Sequence, residues 1–269
     1  MSGNTRATVV TVVGAAGGVG KSTIAVMTAY GAALAGKKTV IVDADLQCGD
    51  IHYLTGGDDT LRVDELVASP GRVRSLEAAE GKPLVIAAPR ALEQSESVAG
   101  SVGDLLDALR QSFDCVVLNT GPAWDDLHME LIAASNSVLF VLDQRPTSIR
   151  LCRHVLDLCA RCGVATQSFA FVLNRCARSA LFSSIDVSCA LSGAKSVEVL
   201  DGGKAVEELL GCGQPDQLAG SRNALWQSVR KNVLPLVGAS GSAAGLPERK
   251  TRHLWRAVSS SRQEAAACL

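Results

Sequence analysis

The feature that most constrains this chain is the stretch GAAGGVGKST at 14–23, set directly after a Val-rich run, ATVVTVV, at 7–13. An unbroken apolar run of that length marks a strand buried on both faces, as in a parallel sheet. Gly17, Gly18 and Gly20 let the backbone curl so that successive N–H groups point inward at an anion. The loop delivers that anion to the start of a helix predicted over 21–35, where orphan N–H groups and the macrodipole favour negative charge. Lys21 adds a point charge for the outer phosphates, and the Ser22 hydroxyl suits Mg²⁺. GGVGKST between a buried strand and a helix argues against a plain glycine-rich turn. Ala15 stands where the general phosphate-loop pattern has Gly, and a single methyl there leaves the cradle in place.

The rest of the chain repeats the strand-then-helix rhythm. Strands are predicted at 39–42, 84–88, 115–118, 137–142, 169–173 and 197–200, and helices at about 102–112, 148–162 and 204–210. Such alternation specifies right-handed βαβ units, hence an α/β fold with a doubly wound, mainly parallel sheet covered on both faces. One more helix at 222–234 gathers Leu225, Trp226, Val229 and Val233 on one side. Beyond residue 237 the small-residue string GASGSAAGLPERK has no core-forming pattern, so the expected organisation is a domain over 1–237 and a flexible tail over 238–269. A chain of 269 residues fits one core with an appendage.

Composition narrows the partners. The formal net charge of -1 argues against a global attraction to nucleic acid. No segment approaches the roughly 18 apolar residues of a membrane span. The first residues lack the charged lead, apolar stretch and small-residue cleavage site of a signal peptide. Nine cysteines scattered singly read as reduced thiols of a cytoplasmic protein rather than a disulfide framework.

The second strand ends in VDADLQCGD at 42–50. In a parallel sheet that end lies beside the first phosphate-binding turn, so Asp43 and Asp45 should face the phosphates. Two apart in an extended segment, they can share a direction, toward Mg²⁺ and an attacking water. The loop followed by this DxD strand end resembles the deviant Walker A ATPases of the ParA/MinD class, from Ala7 to about Val237. The wording LQCGD after Asp43-Ala44-Asp45, FDCVVLNTGP at 113–122 and FVLNR at 171–175 look, within that class, like the CpaE/TadZ proteins of tight-adherence (Flp) pilus assembly.

The resemblance implies binding of ATP or ADP with Mg²⁺ and a homodimer formed face to face across the nucleotide. It implies backbone contacts from Ala16, Gly17, Gly18, Val19, Gly20, Lys21, Ser22 and Thr23, with Lys21 also catalytic. Ser22 and Asp43 would serve the metal, and Asp45 would position or activate the hydrolytic water. Asn174 falls at the adenine-contacting position, with Arg175 beside it. Gly49 and Asp50 fall in a first switch, 120–122 in a second. Two positions depart from the pattern. The signature lysine, which in the family reaches across the dimer, is Ala16, and the Walker B acid is Asn119, left to touch the metal through water. Removing one preorganised charge from phosphoryl transfer costs about 10²–10³ in rate, so hydrolysis is expected to be slow.

The implied role is to localise or scaffold pilus-secretion machinery at the cell pole or the inner face of the membrane. Rival readings are a ParA-type DNA-partitioning ATPase, which would need a basic surface, and a scaffold that binds nucleotide without hydrolysing it. An iron–sulfur carrier is the remote third, resting on Cys159 and Cys162, which together with Cys152 fit an apolar helix stripe instead. The tail segment LPERKTRHLWRAV at 246–258 can place Leu254, Trp255 and Val258 opposite Arg249, Arg252 and Arg256, the build of a membrane-surface helix. Its small-residue neighbours favour a solvated tail.

Overall fold

The computed structural model describes residues 7–57 and 60–239. The expectations for the tail therefore lie outside the described residues. Eight strands form one sheet: β1 (Thr8–Val13), β2 (Thr39–Asp43), β3 (Leu61–Arg62), β4 (Leu84–Ala87), β5 (Cys115–Asn119), β6 (Ser137–Leu142), β7 (Phe169–Cys176) and β8 (Ser196–Leu200). Their order is β3-β4-β2-β5-β1-β6-β7-β8, and every pairing is parallel. The sheet is thus wholly parallel rather than mainly so.

The helices are α1 (Lys21–Leu34), α2 (Ile51–Thr55), α3 (Val63–Val67), α4 (Ser95–Ala99), α5 (Val102–Ser112) and α6 (Asp126–Ala133) in the first half. They continue as α7 (Pro146–Arg161), α8 (Ser184–Ala190), α9 (Lys204–Gly211), α10 (Pro215–Ala219) and α11 (Ala224–Ser228). The seven strands expected from Val-rich runs all appear, because a run buried on both faces has no other structure to form. The two-residue edge strand β3 and the helices α6 and α8 carry too short or too mixed a pattern to be read from sequence.

The strand alternation sorts the core. In β1, Val10 and Val12 pack with α1 and with the layer that includes Trp226 and Val229. Val9 joins the opposite layer with α3 and α5, and Val13 joins Phe140, Ile149 and Cys152 of β6 and α7. Helix α1 is buried continuously from Ile24 to Ala33, so its apolar residues form no stripe. A Cβ on Gly31 would stand 2.6 Å from the Leu234 side chain, which explains a helix-interior glycine that costs about 1 kcal/mol in propensity.

The helix expected over 222–234 is only partly α. It runs Ala224–Ser228 and then widens to a π turn over Val229–Val233, still burying Leu225, Trp226, Val229 and Val233. The stripe expected on α7 also needs correction: Cys152 and Cys159 are buried, but Cys162 ends the helix exposed.

Candidate nucleotide site

In a doubly wound parallel sheet, ligands sit beyond the carboxyl ends of the strands where the winding reverses. Here that point is central β1, flanked by β5 and β2 on one side and by β6 and β7 on the other. The loop leaving β1 carries Gly18 at φ 68° and Gly20 at φ 92°, both in the left-handed region where a side chain is strained. At Gly20 a Cβ would also collide with the Asn174 amide nitrogen at 2.3 Å. Gly20 caps α1 without any side-chain hydrogen bond, and the first turn holds no acidic residue. The leading N–H groups of α1 are thus left for an anion. Lys21, at the start of that helix, is half-buried, and desolvation lowers its pKa while Asp45 and Asp50 pull it back up.

The β2–β5 side forms a buried acid–amide pair. Asp43 is fully buried at the last position of β2, in register with Asn119 at the end of β5. Asn119 Nδ2 donates to Asp43 Oδ1 at 3.0 Å, the Asp45 N–H to the same oxygen at 3.3 Å, and the Ile51 N–H to Oδ2 at 3.0 Å. Burial pushes the Asp43 carboxyl up to about 7; the Ile51 and Asn119 hydrogen bonds oppose it, and the Asp50 and Asp45 charges add to it. Pairing with β5 runs one residue past Asp43, where the Ala44 N–H donates to the Asn119 carbonyl at 2.7 Å. Asp45 turns to accept the Cys48 N–H at 3.1 Å.

The two expected switch segments each close on one aspartate. A Cβ on Gly49 would lie 2.4 Å from Asp43 Oδ2, and one on Gly121 would lie 3.0 Å from Asp45 Oδ1. His128, one of four dispersed histidines in the sequence, is missed by motif reasoning but has a role here. Its ring shares a 2.8 Å contact with Asp125 Oδ1, and Nε2 lies 3.2 Å from the Gly121 carbonyl. Asp125 also caps α6 through the His128 N–H. Burial pushes the Asp125 carboxyl up, but the His128 bonds outweigh it and hold its pKa below the usual range. The i, i+3 spacing of Asp125 and His128 was the available signal.

On the β6–β7 side the contacts run to the outside of the loop. Asn174 Nδ2 donates to the Val19 carbonyl at 2.8 Å, tying β7 to the loop, while its buried Oδ1 has no hydrogen-bond partner. Arg175 adopts φ 52° at an irregularity in the β7–β8 ladder and donates to the Gly18 carbonyl at 3.2 Å. Arg145, which sequence reasoning did not single out, donates to the Gly17 carbonyl at 3.2 Å. Ala16, in the same loop, is buried and brings no charge.

The residues fit a magnesium nucleotide on their chemistry. Asn119 Oδ1 is buried without a partner, and together with Asp43 and the Ser22 hydroxyl it makes an all-oxygen donor set of the kind Mg²⁺ takes. The orphaned Asn174 Oδ1 suits an amino-group donor such as that of adenine. Apart from this site, a groove of about 640 Å³ runs between α7 and α8, lined by Ile149, Arg153 and Phe182 among others. Among the described residues no group of three or more His, Cys, Asp or Glu could hold a metal ion.

A glycine-rich loop joining the central strand to a buried helix, with Lys21 and Ser22 at the helix start, defines a P-loop NTPase. The sequence pattern of the ParA family, described as an NUBPL iron-transfer P-loop NTPase, matches residues 5–175, and the chain belongs to that family. The antiactivator FleN of Pseudomonas aeruginosa is 31% identical over 154 residues, which is 52% of each chain. The chain thus spans about half the length of that relative. Among solved structures, the ParA family ATPase of Chlorobium tepidum superposes with TM-score 0.73 at 19% identity, covering 86% of this chain and 98% of that one. MinD of Pyrococcus horikoshii, complexed with Mg-ADP, gives TM-score 0.68 at 16% identity, covering 88% and 99%. At these identities the superpositions show the fold alone.

Proposed function

We propose that this chain is a slowly hydrolysing ATP switch that pairs face to face over its nucleotide. Its role is to localise or scaffold Flp (Tad) pilus assembly, in the manner of the CpaE/TadZ proteins, at the cytoplasmic face of the pole or membrane. The observation that carries the nucleotide reading is the convergence of the 14–23 loop, Lys21, the Asp43–Asn119 pair and Asp45 at one end of the sheet. When bound, Mg²⁺ would supply charge neutralisation on the phosphates, held by Ser22 and Asp43 and touched by Asn119 through water. Lys21 binds and orients the outer phosphates. Asp45 holds the attacking water and takes up its proton. The backbone N–H groups from Ala16 to Thr23 cradle the phosphate chain, and Asn174 with Arg175 borders the base.

Slow turnover follows from what the site lacks. Ala16 brings no cation, and Asn119 brings an amide where a carboxylate would add charge. The switch mechanism lies in the two glycine contacts. Gly49 and Gly121 lie against the Asp43 and Asp45 side chains, so any movement of those carboxylates on nucleotide binding would be passed to the two loops. The pilus assignment is supported by the wording around Asp45, Asn119 and Asn174. A bacterial two-hybrid or pull-down screen against Flp secretion components tests it. Capture only of DNA, in a salt-sensitive manner, would favour the partitioning reading instead. Capture of an activator protein would favour a role like that of the antiactivator FleN.

A further inference from the structure

The lip of the phosphate loop carries two guanidinium groups on the side turned away from the phosphates. In a loop whose N–H groups converge on an anion, the carbonyls point outward. Arg145 and Arg175 donate to two such successive carbonyls, those of Gly17 and Gly18, and both glycines are exposed. Neither arginine can therefore be reaching into its own cradle while it makes that bond. Each is exposed at the surface beside the loop.

Arg145 is a held residue, not a loose surface side chain. Asp143, buried just beyond the end of β6, accepts from Arg145 Nε at 2.7 Å and from the Arg145 backbone N–H at 3.1 Å. The Asp143 backbone N–H is in turn bonded to Ser148 Oγ of α7 at 3.1 Å. Pro146 starts α7 directly after the arginine and fixes the direction in which the chain leaves. The Asp143 side chain is 8% exposed and that of Arg145 is 54% exposed, so the anchor is inside and the guanidinium outside. Nε and one Nη2 hydrogen are occupied, which leaves the remaining donors of the fork for a ligand. Arg175 is held by different means. A left-handed φ at a non-glycine residue costs about 1 kcal/mol, and here it aims the side chain over the loop. Gln144 secures the chain that follows, accepting the Ala177 N–H at 2.8 Å and donating to the Phe182 carbonyl at 2.6 Å.

We propose that Arg145, assisted by Arg175, contacts the phosphates of the nucleotide held by a second copy of this chain, and so supplies across the pair the cation that Ala16 lacks. The planar fork of arginine suits phosphate oxygens, and its charge, unlike that of a lysine, persists through desolvation in an interface. The inference rests on the reading of the site as an ATP switch that pairs face to face. Asp143 is a positioning residue in this scheme.

The test compares wild type with Arg145→Ala, Arg145→Lys and Arg175→Ala. Three quantities are measured: ATP affinity in dilute solution, sedimentation with ATP and Mg²⁺, and hydrolysis. Arg145→Ala should bind ATP within about twofold of wild type, since its contact lies across the pair. It should sediment as a monomer where wild type pairs, and lose about 10²–10³ in turnover. Arg145→Lys should recover part of the pairing, and Arg175→Ala should weaken it less than Arg145→Ala. Mixing Arg145→Ala with Asp45→Ala should restore hydrolysis that neither shows alone, because the intact Arg145 of one copy then serves the intact Asp45 site of the other. Arg145→Ala that pairs and hydrolyses like wild type overturns the proposal, as does Arg145→Ala that loses ATP affinity in dilute solution. So does a mixture as inactive as its components, or a wild type that stays monomeric with ATP. A wild type that binds no nucleotide fails earlier, and removes the ATP reading together with this one.

Discussion

The two flanks of the phosphate loop are built on opposite plans. On the β2–β5 flank, Asp43 and Asn119 are buried, paired in register and bonded to each other, with Gly49 and Gly121 pressed against the two aspartates. On the β6–β7 flank the charged groups that touch the loop end at the surface: Arg145 and Arg175 grip its outer carbonyls, while Asn174 and the anchoring Asp143 are buried. A buried carboxylate is expensive unless a cation or donors meet it. That flank is therefore under electrostatic tension that Mg²⁺ would relieve. The exposed arginines are under none, and their use depends on what arrives from outside. In the proposed switch, one flank serves the metal and the other the partner copy.

Lys21 stands between the flanks, and its removal should have the largest effect on binding. A charged hydrogen bond is worth about 1.5–3 kcal/mol, so Lys21→Ala should weaken ATP binding about 10- to 100-fold in a calorimetric titration. Unchanged affinity would show that the loop backbone alone holds the phosphates. Gly49→Ala probes the tightness of the buried flank. Its new methyl would lie 2.4 Å from Asp43 Oδ2 and 2.6 Å from the Ala88 Cβ, so both must shift. Overpacking of this kind costs about 1–3 kcal/mol, measurable as a lower urea midpoint, whereas Gly17→Ala on the open lip meets nothing within 4 Å and should cost far less.

Asp43→Asn tests the electrostatics with a definite sign. The carboxyl titrates near 3.8 in a free chain and about 7 in the folded protein. Between those values the native state binds more protons than the unfolded state. Its contribution to stability is present below the lower value and lost as pH rises toward the upper one. Asparagine cannot titrate, and a flipped Asn119 can offer it the oxygen that is now unpaired. In metal-free buffer the variant should gain on wild type in melting temperature from acid to neutral pH, then run parallel above it. A constant difference across that range would contradict the assignment. Asn174→Ala should be the mildest of the set. It loses the 2.8 Å bond to the Val19 carbonyl, about 1 kcal/mol, seen as a small fall in stability and in ATP affinity.

The same division governs what the sequence disclosed. The loop, α1 and the buried strands were legible because local pattern alone determines them: glycines at fixed spacing, valines in unbroken runs. Asp43 and Asn119 could each be named from the end of a strand. Their hydrogen bond could not, because the partners are 76 residues apart and meet only through strand order. The partners of Asp43 and Asp45 were hidden for a related reason: the Ile51 and Cys48 N–H groups that they accept from lie in the segment after the strand, which no local pattern describes. Arg145 gave no signal, since a charge before a proline reads as an ordinary helix start. Its meaning appears only when the Gly17 carbonyl, 128 residues away, is beside it. The spacing of His128 from Asp125 was legible, but its second partner, a backbone carbonyl in the second switch, is encoded by no side-chain motif.

The most direct test of the account is single-turnover ATP hydrolysis by the purified chain, followed over hours beside Asp45→Ala, with ATP binding measured on the same preparations. The account predicts that both proteins bind ATP with Mg²⁺ and that only wild type converts it, slowly, to ADP. Asp45→Ala that hydrolyses at the wild-type rate would contradict it. Wild type that binds ATP but never cleaves it would remove the enzyme and leave a nucleotide-bound scaffold.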